Sequence, residues 1–164
     1  MSNGKVTMTA IEQATLDSVA RHRDIYVASG GCEGHIRDFS AIGGHAFTTT
    51  LLLETIGRRS GERRIAPLIY GTVHGEVLIV ASKGGVDVHP GWYCNLAAMD
   101  EATIQIGTQA FHATWREPEG DERERLWAFM AAVYPPYTDY RRATERRIPL
   151  ICFRPGAAVE VLKG

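Results

Sequence analysis

Residues 77–96 read VLIVASKGGVDVHPGWYCNL, an apolar strand that runs directly into a small hydroxyl, a cation and two glycines. A short helix carrying the aromatic pair Trp92 and Tyr93 is predicted to follow. Glycines let the backbone approach a ligand closely, and their N–H groups, beside the charge of Lys83, can bind an anion. Trp92 and Tyr93 offer flat apolar surfaces for a ring system. The stretch predicts a site for a nucleotide-like or flavin-like cofactor; the alternative is a strand-ending turn with an exposed lysine.

The segments on either side are predicted to form short strands joined by glycine turns. Strands are expected over residues 47–56, 64–73, 76–82, 102–106, 109–117 and 148–154, with a short edge over 159–162. The turns between neighbours are so short that the strands are expected to be mostly antiparallel. About six such strands suit a small closed or split β-barrel, because closure leaves few free edges.

The first 45 residues are predicted to be an N-terminal helix and loop. Residues 8–28 have a loosely helical pattern with Leu16, Val19 and Tyr26 on one face, and a glycine-rich loop follows. From residue 46 the pattern becomes that of strands, so residues 46–164 are expected to form the cofactor-binding barrel of a single domain. The fold class is therefore mainly β, an α+β split barrel with flanking helices.

Two further helices are predicted before the closing strand. A helix over residues 121–133 carries an apolar stripe, and two prolines then break it and start a short helix through Ala143. Tyr134, Tyr137 and Tyr140 are spaced by three, which places them on one helical face. Tyrosine combines a ring for stacking with a hydroxyl that can donate a proton. This face can line a pocket for a planar electrophile, or it can simply pack against the barrel.

Composition argues for a small cytoplasmic protein without a polyanionic macromolecule as partner. The chain has 164 residues and a net charge of −1, so no global field favours nucleic acid. Three cysteines, an odd number without framework spacing, fit a reducing compartment. No apolar run approaches the roughly 18 residues of a membrane span, so no stable membrane insertion is expected. Cys32 and His35 lack a second ligand pair, and no metal site is predicted.

The turn after the first barrel strand is strongly basic. Arg58, Arg59, Arg63 and Arg64 fall within seven residues and flank Ser60. The planar fork of arginine suits carboxylate and phosphate, because it bonds such groups through two hydrogen bonds. The strand over 64–73 is expected to pair with the strand that ends at Ser82, so both cationic features are expected to converge on one polyanionic cofactor. The alternative is a solvated surface turn.

The chain lacks the sequence signatures of hydrolytic catalysis. It has no Ser-His-Asp order, paired carboxylates, HExxH or Walker A spacing. Cys94 and His89 have the chemistry of a nucleophile and a base, but no residue near them supplies an orienting third group. A cofactor-type turn without acid–base machinery favours redox chemistry carried by the cofactor.

Dispersed motifs between residues 46 and 154 follow one another with characteristic gaps. They are Thr55-Ile56-Gly57-Arg58-Arg59-Ser60-Gly61, Arg64, Pro67-Leu68, Ala81-Ser82-Lys83-Gly84-Gly85, His89-Pro90, Trp92-Tyr93, Asn95-Leu96, Ile104-Gln105-Ile106-Gly107, Tyr134-Pro135-Pro136-Tyr137 and Arg147-Ile148-Pro149. Together they resemble the deazaflavin-dependent nitroreductase family. The resemblance implies a split β-barrel, related to the flavin-binding pyridoxamine-phosphate-oxidase-like barrels, that binds coenzyme F420. This cofactor is an 8-hydroxy-5-deazaflavin with a phospholactyl and oligoglutamate tail.

The resemblance also implies roles for individual residues. The tail is expected on Arg58, Arg59, Ser60, Arg64 and Lys83, with the backbone of Ser82, Gly84 and Gly85 close to the cofactor. Pro67, Leu68, Trp92 and Asn95 match positions near the deazaflavin, and Tyr137 is expected to cover the ring. Tyr134, Tyr137 and Tyr140 are expected to line the acceptor pocket, with Ser82 near the transferred hydride.

The predicted function is therefore hydride transfer from F420H2 to a conjugated electrophile, such as a quinone, an enone or a nitroaromatic. Ile69, on the acceptor side, stands where relatives active on nitroimidazoles have a tyrosine. The protein is expected to be a monomer or a homodimer, and a peripheral membrane contact of the N-terminal segment stays open.

Two alternatives share this scaffold. The barrel can hold FMN, although one phosphate needs fewer cations than the basic turn offers. The protein can also be a non-catalytic binder of F420 or of a fatty acid.

Overall fold

The apolar residues 77–80 belong to a strand that is paired on both sides, and the rest of a curled sheet is built around it. The computed structural model describes residues 2–164, with side chains from Gln13 onward. The strands are β1 (Ile36–Arg37), β2 (Thr48–Ile56), β3 (Arg63–Ile69), β4 (Gly71–Val73), β5 (Glu76–Val80), β6 (Glu101–Ile106), β7 (Gln109–Arg116) and β8 (Leu150–Val159). The helices are α1 (Ser2–Ala28), α2 (Gly91–Leu96), α3 (Gly120–Val133) and α4 (Pro136–Ala143). Short 3₁₀ turns lie at Ser40–Ile42 and Lys83–Gly85.

The sheet is antiparallel at every strand pair in the described chain. The strand order is β1-β2-β6-β7-β8-β5-β4, with β3 beside β2. β3 and β4 lie towards opposite ends of this order, yet only Tyr70 separates them in the chain. That connection curls the sheet into a half-barrel, which confirms the predicted mainly antiparallel barrel with flanking helices.

The predicted strand over residues 64–73 is wrong as a single strand. It breaks at Tyr70, and its arginine-bearing half pairs with β2, with Leu68 opposite Leu51. Of the two halves, only the second, β4, pairs with β5. The tight turn before β3 brings β2 and β3 together as a local hairpin, and Pro67 has no N–H for a second partner strand. The expectation that the basic turn leads into a strand beside Ser82 is therefore corrected.

The two predicted C-terminal strands differ from the structure, because the first extends to Val159 and residues 160–162 are not in a strand. β8 runs unbroken from Leu150 to Val159, whereas the sequence predicted a break before a short edge at 159–162. Pro155 and Gly156 lie at a bulge, where the register with β7 shifts between Phe111 and Ala113. Proline is tolerated there because a bulge leaves one residue unpaired.

The core lies on both faces of the central strands. Leu51 and Leu53 of β2 and Ile79 of β5 point into the half-barrel beside Ile104 and Phe153. The intervening side chains point outwards and are covered by helices. Leu78 and Val80 of β5 meet Trp127, Met130, Tyr134 and Tyr137 of the α3–α4 region, and Leu52 of β2 meets Tyr26 of α1. Burial on both faces explains why β5 is a continuous apolar run rather than an alternating one.

Tyr26 anchors the C-terminal end of α1. Its hydroxyl donates to the Thr50 carbonyl at 2.8 Å and accepts from the Gly107 N–H at 2.9 Å. The predicted apolar face is otherwise wrong, because Leu16 and Val19 are 63% and 42% exposed. None of the helices in the described chain combines the length and apolar content that a bilayer-spanning helix requires.

Candidate cofactor and acceptor site

A cleft of about 430 Å³ opens between the β2–β3 turn and the start of α2. Its lining residues are Gly57, Arg58, Arg59, Ser60, Arg64, Ile65, Ala66, Gly91, Trp92 and Asn95. Three guanidinium groups therefore stand beside an apolar floor made of Ile65, Ala66 and the Trp92 ring. Guanidinium groups bind phosphate or carboxylate, and an apolar floor accepts a flat ring, so the cleft can hold an amphipathic anion.

The four arginines of the basic turn do not point the same way. Successive side chains of a strand face opposite sides, and here they divide Arg63 from Arg64. Arg63 bonds Glu54 at 2.6 Å and the carbonyl of Lys163 at 3.0 Å. Arg64 lies in the cleft, with an exposed contact of 3.3 Å to Glu62. Three of the four arginines predicted to bind an anion therefore line the cleft.

Asn95 holds the basic turn in place. Its side-chain oxygen accepts from the Arg58 backbone N–H at 3.2 Å and from the Arg58 guanidinium at 3.1 Å. Its amide nitrogen donates to the Thr55 hydroxyl at 3.3 Å. At Gly57, a Cβ would lie 2.5 Å from the Ser60 Oγ, so a larger residue there would require the Ser60 side chain to rotate. Asn95 was expected beside the cofactor ring; here its contacts orient Arg58 from α2.

We expect Asn95→Ala and Asn95→Asp to separate the stability of the turn from its affinity for anions. Ala leaves the Arg58 N–H without its partner and should lower the free energy of unfolding by about 1–3 kcal/mol. Asp keeps the acceptor oxygen but places a negative charge beside Arg58, so stability should hold while F420 affinity falls. Urea denaturation and fluorescence titration measure the two effects. Equal F420 affinity in Asn95→Asp and the unchanged protein would contradict this role.

Neighbouring side chains at the end of β3 pack against two different hydrophobic clusters. Leu68 packs against the interior of the half-barrel, which Trp92 also borders. The next residue, Ile69, packs against the outer cluster that contains the three predicted tyrosines. Pro67 is half-buried between Ala66 and Leu68 on the same edge strand. Leu68, expected near the ring, and Ile69, expected near the acceptor, thus lie on opposite faces of one short strand.

Tyr134, Tyr137 and Tyr140 form one cluster, as their spacing predicts. The rings of Tyr134 and Tyr137 meet edge to face at 4.9 Å, and the hydroxyls of Tyr134 and Tyr140 lie 3.3 Å apart. Tyr134 and Tyr137 are buried, whereas Tyr140 is half-buried. Burial raises the pKa of the Tyr134 and Tyr137 hydroxyls above the usual range, so both stay protonated at neutral pH. The cluster offers neutral hydroxyl donors beside Ile69.

The Ser82–Gly85 turn lies at the end of β5 and packs on α4. Lys83, Gly84 and Gly85 all adopt positive φ, at 46°, 65° and 81°. A Cβ at Gly85 would lie 2.8 Å from the Cα and the carbonyl oxygen of Tyr140. The cleft lining does not include this turn, so its convergence with the arginines on one ligand stays a prediction. Lys83 is exposed and holds a left-handed conformation that non-glycine residues rarely adopt.

Two residues in contact with these elements were absent from the sequence-based set. Arg146 bonds the loop that follows Ser82, and His35 bonds the Tyr70 hydroxyl through Nε2 at 2.7 Å. Tyr70 is the residue between β3 and β4. Both contacts join segments more than 30 positions apart, and neither residue belongs to a motif with a recognisable spacing.

Comparison with known proteins identifies the family. The sequence pattern of the F420H(2)-dependent quinone reductase family matches residues 32–155, most of the chain. The chain belongs to this family. It is 40% identical to Rv3178 of Mycobacterium tuberculosis over 106 residues, which cover 65% of this chain and 89% of that protein. A solved F420-H2 dependent reductase, FDR-A, has a TM-score of 0.58 at 39% identity and covers 63% of this chain and 92% of its own.

A second solved structure covers more of this family member. It is described as a domain-swapped dimer and matches with a TM-score of 0.61 at 33% identity, over 85% of this chain and 98% of its own. Family membership makes the protein an F420-dependent oxidoreductase, and it confirms both the predicted enzyme class and coenzyme F420 as the cofactor.

The residues of the cleft fit coenzyme F420. Three arginines and the Ser60 hydroxyl are suitable donors for the phosphate and carboxylates of its tail. Trp92, Ile65 and Ala66 provide the apolar surface that a deazaflavin ring needs. Gly91 leaves room at the cleft wall, because a Cβ there would meet no atom within 4 Å. A polyanion with a flat ring therefore matches both halves of the cleft.

Proposed function

We propose that this oxidoreductase reduces a quinone with F420H2, and that the cleft between the basic turn and α2 holds the cofactor tail. The observation that carries the proposal is the convergence of Arg58, Arg59 and Arg64 beside Trp92 in that one cleft. The family description, F420H(2)-dependent quinone reductase, supports the acceptor class. Enones and nitroaromatics share the conjugated, electron-poor character of a quinone and are secondary candidates.

On the cofactor side, the residues of this chain bind and orient coenzyme F420. Arg58, Arg59, Arg64 and Ser60 hold the tail, and Lys83 adds a further cation from the β5 turn. Pro67, Leu68, Trp92 and Asn95 border or support the ring position, and the backbone at Ser82, Gly84 and Gly85 closes around it. When bound, reduced F420 supplies a hydride from its deazaflavin ring.

On the acceptor side, the residues of this chain exclude water and supply a proton. Ile69, Tyr134, Tyr137 and Tyr140 form an apolar wall with hydroxyl groups along it. A quinone that accepts a hydride gains negative charge on an oxygen, and a neutral hydroxyl stabilises that charge by donating a hydrogen bond. The half-buried Tyr140 is the most accessible donor of the three, whereas Tyr137 supplies ring surface from inside the cluster.

Two measurements test this function. The first is fluorescence titration of the purified protein with F420 and, in parallel, with FMN. The second follows oxidation of F420H2 by menadione, an enone and a nitroaromatic. We expect tight F420 binding, weak FMN binding and turnover that is fastest with the quinone. Binding of F420 without turnover of any acceptor would overturn the proposed acceptor chemistry.

Tyr140→Phe should lower turnover without changing cofactor affinity. Loss of one general-acid hydroxyl is expected to reduce kcat with menadione by about tenfold or more. The F420 dissociation constant should stay unchanged because Tyr140 packs on the acceptor cluster. Tyr93→Phe is the matched control, since its hydroxyl donates to Glu117 at 3.0 Å, outside that cluster. An equal loss of kcat in both variants would contradict the assignment.

The active protein is a homodimer in this proposal. Its support is the structural neighbour described as a domain-swapped dimer, which covers 85% of this chain. A terminal helix such as α1 is an element that two copies can exchange at low energetic cost. Light scattering after size-exclusion chromatography should give twice the monomer mass, and a single 18.1 kDa species would refute the dimer.

A further inference from the structure

One guanidinium group spans the loop between β5 and α2. Arg146 Nη2 donates to the Ser82 carbonyl at 2.7 Å and to the Ala81 carbonyl at 3.3 Å. Its Nε donates to the Val86 carbonyl at 2.6 Å. Its Nη1 lies 3.0 Å from His89 Nδ1. A planar fork with several fixed donors can make such a set of bonds, whereas the single ammonium of lysine cannot.

The carbonyls that Arg146 binds lie on either side of three consecutive residues with positive φ. Lys83, Gly84 and Gly85, with φ of 46°, 65° and 81°, lie between the two carbonyls of Ser82 and Val86 that Arg146 binds. Inside the bracket, the Gly85 N–H donates to the Ser82 carbonyl at 2.9 Å and the Val86 N–H to the Lys83 carbonyl at 3.4 Å. A non-glycine residue at positive φ is unfavourable by itself and persists where its surroundings determine it.

The same segment ties the loop to α4. Thr144 donates through its hydroxyl to Asp87 at 2.7 Å, and Gly85 packs against the backbone of Tyr140. The residues just after α4 therefore hold a loop that was expected to contact the cofactor, while α4 itself carries Tyr140.

We propose that Arg146 is a positioning residue that holds the Ser82–Gly85 turn in its cofactor-binding conformation. It acts through the backbone carbonyls and touches neither cofactor nor acceptor. The inference rests on the proposed function, because it takes residues 82–85 to contact F420. Without the fork, Lys83 relaxes from positive φ, and the hydrogen bonds that the Gly85 and Val86 N–H groups make inside the turn weaken.

The test compares Arg146→Ala and Arg146→Lys with Arg142→Ala, an exposed arginine near the end of α4 that makes none of these bonds in the described chain. Amide hydrogen exchange without cofactor is the first readout. We expect the Gly85 and Val86 amides to exchange at least tenfold faster in both Arg146 variants and unchanged in Arg142→Ala. Unchanged exchange in Arg146→Lys or Arg146→Ala would overturn the positioning role, whether or not F420 binds.

Cofactor binding is the second readout. We expect the F420 dissociation constant and the KM for F420H2 to rise about tenfold in both Arg146 variants, with kcat changing much less. Ethylguanidinium should partly restore affinity in Arg146→Ala. Faster exchange with unchanged F420 affinity would overturn the link between the turn and the cofactor. Failure of the unaltered protein to bind F420 would instead refute the proposed function. If Arg146→Ala does not fold, Arg146→Lys carries both readouts.

Discussion

The double variant Arg58→Ala/Arg64→Ala is expected to bind F420 at least about 100-fold more weakly at low ionic strength, because hydrogen bonds to charged groups contribute about 1.5–3 kcal/mol each. Both side chains line the cleft beside Trp92. The loss should shrink in 1 M salt, where the screening length falls to about 3 Å. Fluorescence titration of F420 at two salt concentrations measures both effects.

The matched control is Arg23→Ala/Arg63→Ala, which removes the same charge from outside the cleft. Arg63 bonds Glu54, and Arg23 of α1 bonds Asp24 at 3.0 Å. Neither lines the cleft. This control should retain F420 affinity within about threefold, since only the overall charge changes. Equal losses in the two double variants would show that net charge, and not the cleft, attracts the cofactor.

Gly85→Ala should cause the larger stability loss of the two glycine variants in the β5 turn. An alanine at φ of 81° adopts a left-handed backbone conformation, which costs about 1–2 kcal/mol of stability. Its Cβ would also lie 2.8 Å from the Tyr140 backbone. Overpacking against a backbone that cannot rotate away adds about 1–3 kcal/mol. We therefore expect the free energy of unfolding to fall by about 2–5 kcal/mol in total, with α4 displaced and quinone reduction lost.

Gly84→Ala separates the two contributions. It also stands at positive φ, but a Cβ there would meet no atom within 4 Å. It should therefore lose only the conformational part, about 1–2 kcal/mol. Urea denaturation of both variants gives the difference in their free energies of unfolding. The rate of menadione reduction shows whether α4 keeps its position. If the two variants were equally destabilised, the contact between Gly85 and α4 would have no energetic weight.

The local signals in the sequence predicted those parts of the candidate site that one segment can form alone. The basic turn, the Ser82–Gly85 turn and the tyrosine spacing each depend on neighbours a few residues away, and the structure contains all three. The helices and most strand limits follow from the same short-range periodicity. The apolar strand at residues 77–81 was recognisable for this reason, although its burial on both faces was not.

Errors arose where two segments meet. The predicted strand over residues 64–73 looked continuous, because its composition does not show that the chain crosses the barrel at Tyr70. That crossing decides which strand receives the arginines, and it leaves β3 paired with β2. Leu16 and Val19 fit a helical stripe, yet no other element covers them in the described chain. A pattern records which face is apolar; it does not record which element lies opposite.

Short-range chemistry in the chain was therefore sufficient for the fold class, the basic turn and the tyrosine face, whereas coenzyme F420 was predicted from the resemblance to a known family. Tertiary structure alone decided that Arg64 lines the cleft while Arg63 bonds Glu54, that Asn95 orients Arg58, and that Arg146 binds a loop more than 50 residues earlier. The physical reason is the range of each interaction. Turn geometry and side-chain periodicity act between neighbours in sequence, whereas hydrogen bonds and close packing act between whichever groups the completed fold brings within a few ångströms.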